Sequence, residues 1–127
     1  MASSTETSLA EIGAGVYSAV GDGAQKFASV DQGAAGTLAA VAAVTGSRIR
    51  ILAACLQSYS GSGAPTITFK SGTTQLSGEI DSTQVISIVL PYNPAGWMQT
   101  AEGEAFNIVS TNGAVNGMLV YEEVAGA

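Results

Sequence analysis

The chain has 127 residues, which suits one domain whose core needs no metal or disulfide to hold it together. Hydrophobic residues make up 46% of it and predict a folded chain, while four basic against ten acidic residues give a net charge of −6. So few cations disfavour binding to nucleic acid or to anionic membranes, and the lack of histidine removes the commonest general base and nearly all zinc sites.

Residues 1–20 are small, polar and weakly patterned, so we expect an N-terminal arm that is partly disordered when free. The arm has no basic residue before an apolar run, unlike a signal peptide, and we expect synthesis in a cytoplasm. Leu9 and Ile12 are the only large aliphatic residues among its first 15 positions. If the arm orders against a partner, these two side chains are the candidates for attachment.

Residues 21–127 form runs typical of short β-strands, separated by glycine, proline and small polar residues. In the first run Phe27 is the one large apolar residue and is predicted to anchor the strand in the core. The run 36–44 is rich in alanine, which favours a helix, but its flanking glycines and β-branched residues permit a strand. The predicted strands are 25–30, 36–44, 47–59, 65–70, 75–77 and 84–90.

The dipeptide Asn112-Gly113 separates two further β-type runs, 105–110 and 115–121. Asn and Gly tolerate the two positive φ angles of a type I′ turn, so the pattern predicts a closing β-hairpin. Together the runs predict an all-β chain. The expected fold is an antiparallel β-sandwich, or a jelly-roll-like domain, of about eight strands over residues 21–127.

The run 47–59 is apolar on both faces beyond Arg50. One face has Ile49, Ile51, Ala53 and Cys55, and the other has Arg48, Arg50, Leu52, Ala54 and Leu56. The run 84–90 is also apolar on both faces, and a two-sheet sandwich covers only one face of each strand. We therefore expect a homo-oligomer whose interface includes Arg48, Arg50, Leu52 and Leu56, with Cys55 buried as a small hydrophobe.

Candidate chemistry is sparse. Three carboxylate pairs could do acid–base work on a glycan, but they lie in predicted turns or at a strand end, where solvated charges are expected: Glu79 with Asp81, Glu102 with Glu104, and Glu122 with Glu123. Acidic residues near the predicted turns lack any recognised calcium spacing. We predict no catalytic residues, no cofactor and no metal.

Tyr92 and Trp97 lie in a predicted loop between Pro91 and the following turn. Flat aromatic side chains on a loop can stack on sugar rings, or they can fasten the loop to its own domain or to a neighbouring subunit. We favour the fastening role. Trp97→Ala is then predicted to cost roughly 3 kcal/mol or more through a cavity.

Four segments carry a family resemblance: 46–52, 67–74, 90–108 and 117–121. They resemble small β-sandwich structural proteins of tailed-bacteriophage virions, a group that includes capsid decoration (cement) proteins and head or tail accessory proteins. The resemblance covers about residues 30–124. It implies a non-enzymatic β-sandwich.

The resemblance further implies a capsid decoration protein that binds the major capsid protein of the same phage on the outside of the head. A homotrimer would suit the three-fold sites of a capsid. The alternative is a tail or fibre accessory domain that recognises a host-surface glycan through Tyr92 and Trp97. Neither reading involves nucleic acid or a membrane.

Overall fold

Runs of β-type residues fold this chain into strands, and the longer strands turn one side towards a shared core. The computed structural model describes residues 24–60 and 63–126, and this part of the chain is all β, without a helix. The strands in chain order are β1 Lys26–Gln32, β2 Gly36–Val41, β3 Ser47–Tyr59, β4 Thr66–Ser71, β5 Thr74–Gln75, β6 Ile80–Asp81, β7 Val85–Leu90, β8 Met98–Gln99, β9 Phe106–Thr111 and β10 Ala114–Ala125.

The strands form two antiparallel sheets that pack against each other. In sheet one, β10 lies between β1 and β3, and the far side of β3 pairs with both β7 and β8. In sheet two, β9 lies between β2 and β4, and the far side of β4 pairs with β5 and β6. The predicted β-sandwich is confirmed, and its jelly-roll variant stays a prediction.

The core lies between the two sheets and is made of aliphatic side chains around one aromatic pair. The rings of Phe69 and Phe106, from β4 and β9, stack with centroids 5.7 Å apart. Full burial of each such side chain stabilises the fold by about 1.5–3 kcal/mol relative to exposure. The buried core residues that surround the pair are Val30, Ile49, Ile51, Leu56, Ile67, Ile108, Val115 and Leu119.

The predicted strand positions agree with the structure within a few residues, and β3 matches its predicted range at both ends. The two-residue strands β6 and β8 were not predicted, because a pair of residues carries no periodic signal. The predicted N-terminal arm, with Leu9 and Ile12, lies outside the described residues.

The predicted closing hairpin is wrong. Strand β9 pairs with β2 and β4 in sheet two, whereas β10 pairs with β1 and β3 in sheet one. Asn112 has a φ of 59°, but Gly113 is not among the residues with positive φ, so the turn is not type I′. Gly113 is needed for a different reason. A Cβ there would lie 2.8 Å from the carbonyl oxygen of Tyr59, so only glycine allows the chain to cross between the sheets here.

A β-bulge in β3 overturns part of the predicted interface. Val120 pairs with Ala53 and Tyr121 pairs with Ile51, which leaves Leu52 without a partner on β10. The bulge changes which side chains point inward, from Ile49 and Ile51 before it to Ala54 and Leu56 after it. The core therefore takes Ile49 and Ile51 from one predicted face and Ala54 and Leu56 from the other.

Leu52 and Leu56 are 1% and 3% exposed within the chain itself, so their side chains are not available to a second subunit. The same change of parity places Cys55 on the outer face of sheet one, where it is exposed and not buried as predicted. The oligomer itself stays a prediction, and its surface must be sought elsewhere.

Candidate functional site

The outer face of sheet one carries a continuous apolar surface that runs across its strands. In one cross-strand row Met118 pairs with Cys55, and Cys55 pairs with Val89. In the next row Phe27 pairs with Val120, and Val120 pairs with Ala53. We call these six residues the apolar band: Phe27, Ala53, Cys55, Val89, Met118 and Val120.

The band faces outward because its neighbours along each strand face inward. Leu119 lies between Met118 and Val120 and is buried in the core, and Ala54 does the same between the two β3 members. Phe27 is 70% exposed, Val89 69% and Met118 47%. Phe27 was predicted to anchor β1 in the core, and that prediction is wrong, because Val30 takes the buried position on this strand.

A groove of about 260 Å³ lies along the band. Its floor is formed by β3 and β10, and its wall by the end of β7 and the residues after it. The lining is almost wholly apolar: Ala53, Ala54, Cys55, Val89, Leu90, Pro91, Tyr92, Met118, Leu119 and Val120. A recess of this kind is typical of a surface that receives an apolar group from a partner.

Polar groups border the band on both sides. On one side the next cross-strand row is polar, with Asn116 paired to Asp31 and to Gln57. On the other side Arg50 Nη1 donates to Glu122 Oε2 at 3.0 Å, and both side chains are mostly buried. Because this guanidinium and carboxylate neutralise each other, no unpaired charge lies between them and the band.

The loop after β7 is fastened onto β3 by its backbone. The N–H of Asn93 donates to Leu52 O at 2.9 Å, and the N–H of Trp97 donates to Ile51 O at 2.7 Å. Asn93 Oδ1 also accepts the N–H of Ala95, an Asx turn that shapes the loop locally. Gly96 has a φ of 87° and lies against the side chain of Arg50, where a Cβ would be 2.5 Å from Cγ.

Trp97 and Tyr92 line different cavities, although the sequence places them in one loop. Trp97 lines an apolar opening of about 300 Å³ between the two sheets, and its indole N–H donates to Pro91 O at 2.8 Å. Tyr92 lines the groove on the band, and its hydroxyl accepts from Gln25 Nε2 at 2.8 Å. The contacts of Trp97 fit the fastening role that we favoured.

Three of the carboxylates considered for acid–base work instead hold strands together. Glu122 pairs with Arg50, and Glu123 Oε2 accepts from Lys26 Nζ at 3.0 Å. Glu104 Oε1 accepts from the Ser71 hydroxyl at 2.6 Å. Among the residues that the structure describes, no three acidic, cysteine or histidine side chains are grouped closely enough to hold a metal ion.

Sequence reasoning found part of this surface. Val89 belongs to the strand predicted to be apolar on both faces, and that prediction holds for β7, where Ile86 is buried and Val89 is exposed. Of the predicted interface residues, Arg48 and Arg50 lie near the start of β3, where Arg48 Nη1 donates to Thr100 O at 3.4 Å. Phe27, Cys55 and Met118 were missed, because their outward direction depends on strand register.

Two further observations concern membrane-spanning helices and similarity to known proteins. Within residues 24–60 and 63–126 there is no helix long and apolar enough to span a membrane. Searches against protein-family models, curated proteins and solved structures find no match to this chain.

Proposed function

We propose that this protein is a non-enzymatic structural component of a tailed-phage virion, a decoration protein that binds the outside of the head as a homo-oligomer. The observation that carries the proposal is the apolar band. A rigid sandwich that displays such a surface is suited to assembly, because soluble monomers rarely leave a large contiguous apolar patch open to water. The family resemblance of its sequence supports the same class.

The mechanism is the addition of contact area between capsid subunits. A protein that binds the assembled lattice and not the free subunits stabilises the lattice by mass action. Contacts of about 800 Å² per partner are enough for a stable, specific complex. The N-terminal residues Leu9 and Ile12 are the proposed attachment side chains, and each adds about 1.5–3 kcal/mol if buried, before the cost of ordering.

The competing proposal is a tail or fibre domain that binds a host-surface glycan through Tyr92 and Trp97. A sugar ring needs an open aromatic face, and two aromatics that act together must border one recess. Here Tyr92 lines the groove on sheet one and Trp97 lines the opening between the sheets. This arrangement favours the decoration protein.

Co-sedimentation tests the proposal. The purified full chain is mixed with heads of the parent phage that lack it, and in parallel with immobilised polysaccharide from the host. We expect saturable binding to heads, a longer half-life of the decorated heads on heating, and no retention on the polysaccharide. Retention on the polysaccharide alone, abolished by Tyr92→Ala, would overturn the proposal in favour of glycan recognition.

A second variant tests the attachment site. Deletion of residues 2–15 should weaken binding to heads while leaving the melting temperature of the free protein nearly unchanged. The matched variant Leu9→Ser with Ile12→Ser keeps the length of the chain and should weaken binding to the same extent. If both variants decorate heads as tightly as the full chain, attachment lies in the sandwich.

A further inference from the structure

We propose that the apolar band is the contact between two copies of this chain, in which Phe27 of each copy inserts into the groove of the other. The inference deepens the proposed function by naming the surface through which copies associate. It rests on that function only for its biological role, since the contact itself is a property of the purified protein.

Phe27, which we call the knob, lies on the same sheet face as the groove and on the strand next to its floor. Phe27 on β1 pairs with Val120 on β10, and Val120 pairs with Ala53 in the floor of the groove. Neighbouring strands are about 4.8 Å apart, so the knob stands roughly 10 Å from the far side of the groove floor. A two-fold axis that runs parallel to the strands, in the plane of contact above Val120, places Phe27 of each copy opposite Ala53 of the other. The Phe27 side chain of each copy then enters the groove of the other copy.

The groove has room for the side chain that the proposal assigns to it. Its volume is about 260 Å³, and a cavity of about 150 Å³ lined by aliphatic and aromatic groups is enough to hold benzene. A phenyl ring therefore fits, and the groove offers it an apolar lining. Phe27 is the most exposed large hydrophobic side chain of the described residues, so it gains most from being covered.

The exposed area of the band, together with Tyr92 on the wall of the groove, approaches what a stable dimer needs. With aromatic side-chain areas of about 150–250 Å² and smaller aliphatic ones, the exposed fractions of Phe27, Val89, Met118 and Tyr92 leave on the order of 500 Å² open to water. A standard interface buries about 800 Å² on each partner, and its rim is polar. The band supplies the apolar centre, and the row with Asn116 and Gln57 supplies one polar rim.

Charge does not oppose a second copy at this face. Each chain carries a net charge of −6, which opposes association through an acidic surface. The band contains no carboxylate or amine, and the cations Arg50 and Lys26 on the same strands are already paired with Glu122 and Glu123. Two copies can therefore meet here without bringing unpaired like charges together, whereas a basic partner would find no carboxylate in the band.

A face that meets its own copy makes an isologous contact, with two-fold symmetry. The inference accordingly predicts a dimer as the unit formed by this face, in place of the trimer that the family resemblance implies. Cys55, in the middle of the band, is a natural probe, because the dimer covers its thiol and the monomer exposes it.

The test uses the full purified chain without heads or polysaccharide. Light scattering at micromolar concentration measures its mass, and a thiol reagent measures the rate at which Cys55 is modified. We expect a dimer with slow modification for the natural chain. Phe27→Ser should give a monomer in which modification of Cys55 is about tenfold faster or more. Tyr59→Ser is the matched control, because Tyr59 is an exposed aromatic on the same sheet face beyond the polar row, and this variant should remain a dimer.

Val89→Lys keeps the proposal testable if Phe27→Ser does not fold, as judged by circular dichroism. It places a charge on the wall of the groove at an exposed position, so the fold should persist while the dimer dissociates. Any of four results would overturn the inference: a trimeric natural chain, a monomer with a freely reactive thiol, a monomer with a protected thiol, or a dimer that survives both substitutions. The third result would mean that a segment of the same chain covers the band. Failure to bind heads would leave the mass and thiol results unchanged, so it would count against the proposed function alone.

Discussion

At the scale of single residues, Thr100 substitutes for a strand partner at the start of β3. Its hydroxyl accepts the N–H of Ile49 at 2.8 Å, and its own N–H donates to Ile49 O at 2.9 Å. Thr100 is 1% exposed, so water cannot replace the hydroxyl. A buried backbone donor without a partner costs more than an ordinary hydrogen bond contributes. Thr100 therefore determines whether the backbone N–H of Ile49, near the start of β3, has a hydrogen-bond partner on this side.

Thr100→Val keeps the shape of the side chain and removes the acceptor. We expect a loss of about 1–3 kcal/mol in the free energy of unfolding, measured by urea denaturation. Thr100→Ser keeps the hydroxyl and serves as the control, with a smaller loss from the missing methyl group. Equal losses in the two variants would show that the hydrogen bond to Ile49 contributes nothing.

Trp97 should matter less than the sequence alone predicts. It is 44% exposed, so its replacement removes only part of the burial of a fully enclosed aromatic. We expect Trp97→Ala to cost about 1–2 kcal/mol, below the roughly 3 kcal/mol of a core aromatic. Trp97→Phe should lose mainly the hydrogen bond to Pro91 O, about 0.5–1.5 kcal/mol. A loss above about 3 kcal/mol for Trp97→Ala in thermal unfolding would contradict this account.

At the scale of elements, β10 and β3 approach each other closely where Gly117 pairs with Leu56. Gly117 has a φ of 147°, and a Cβ there would lie 2.0 Å from the carbonyl oxygen of Cys55. The obstacle is backbone, which cannot move aside as the end of a side chain can. Glycine at this position is therefore a condition for pairing the two longest strands of sheet one.

Gly117→Ala should destabilise the protein by about 3 kcal/mol or more, through the disallowed φ and the clash together. Gly78→Ala is the matched control, because Gly78 has no heavy atom within 4 Å of a built Cβ and no positive φ. That control should change stability by about 0.5 kcal/mol or less. Urea unfolding of the two variants side by side gives the comparison, and similar midpoints would refute the packing argument.

At the scale of the whole molecule, a surface that associates with itself couples stability to concentration. If the folded chain is a dimer and the unfolded chain is not, the melting temperature must rise with protein concentration. We expect this rise in scanning calorimetry over a hundredfold range of concentration, and we expect Phe27→Ser to abolish it. A melting temperature independent of concentration in the natural chain would mean that the folded unit is a monomer.

The sequence by itself determined where most strands lie and that they form a sandwich. The alternation along 65–70 and the β-type runs 47–59 and 84–90 are local properties, and glycine and proline between the runs end each strand without help from the rest of the chain. The sequence also showed that β7 is apolar on both faces, which is a feature of the candidate surface.

Only the tertiary structure decided which faces point inward and which strands are neighbours. The bulge at Leu52 reverses the parity of β3, and a single unpaired residue leaves no mark in the periodic pattern. The crossing at Asn112 and Gly113 has the local chemistry of a hairpin, but β9 and β10 pair with other strands because those pairings bury the core between two sheets. Phe27 points outward because its register with Val120 places Val30 in the core instead. Register and sheet membership are set by contacts between residues far apart in the chain, and no local pattern contains them.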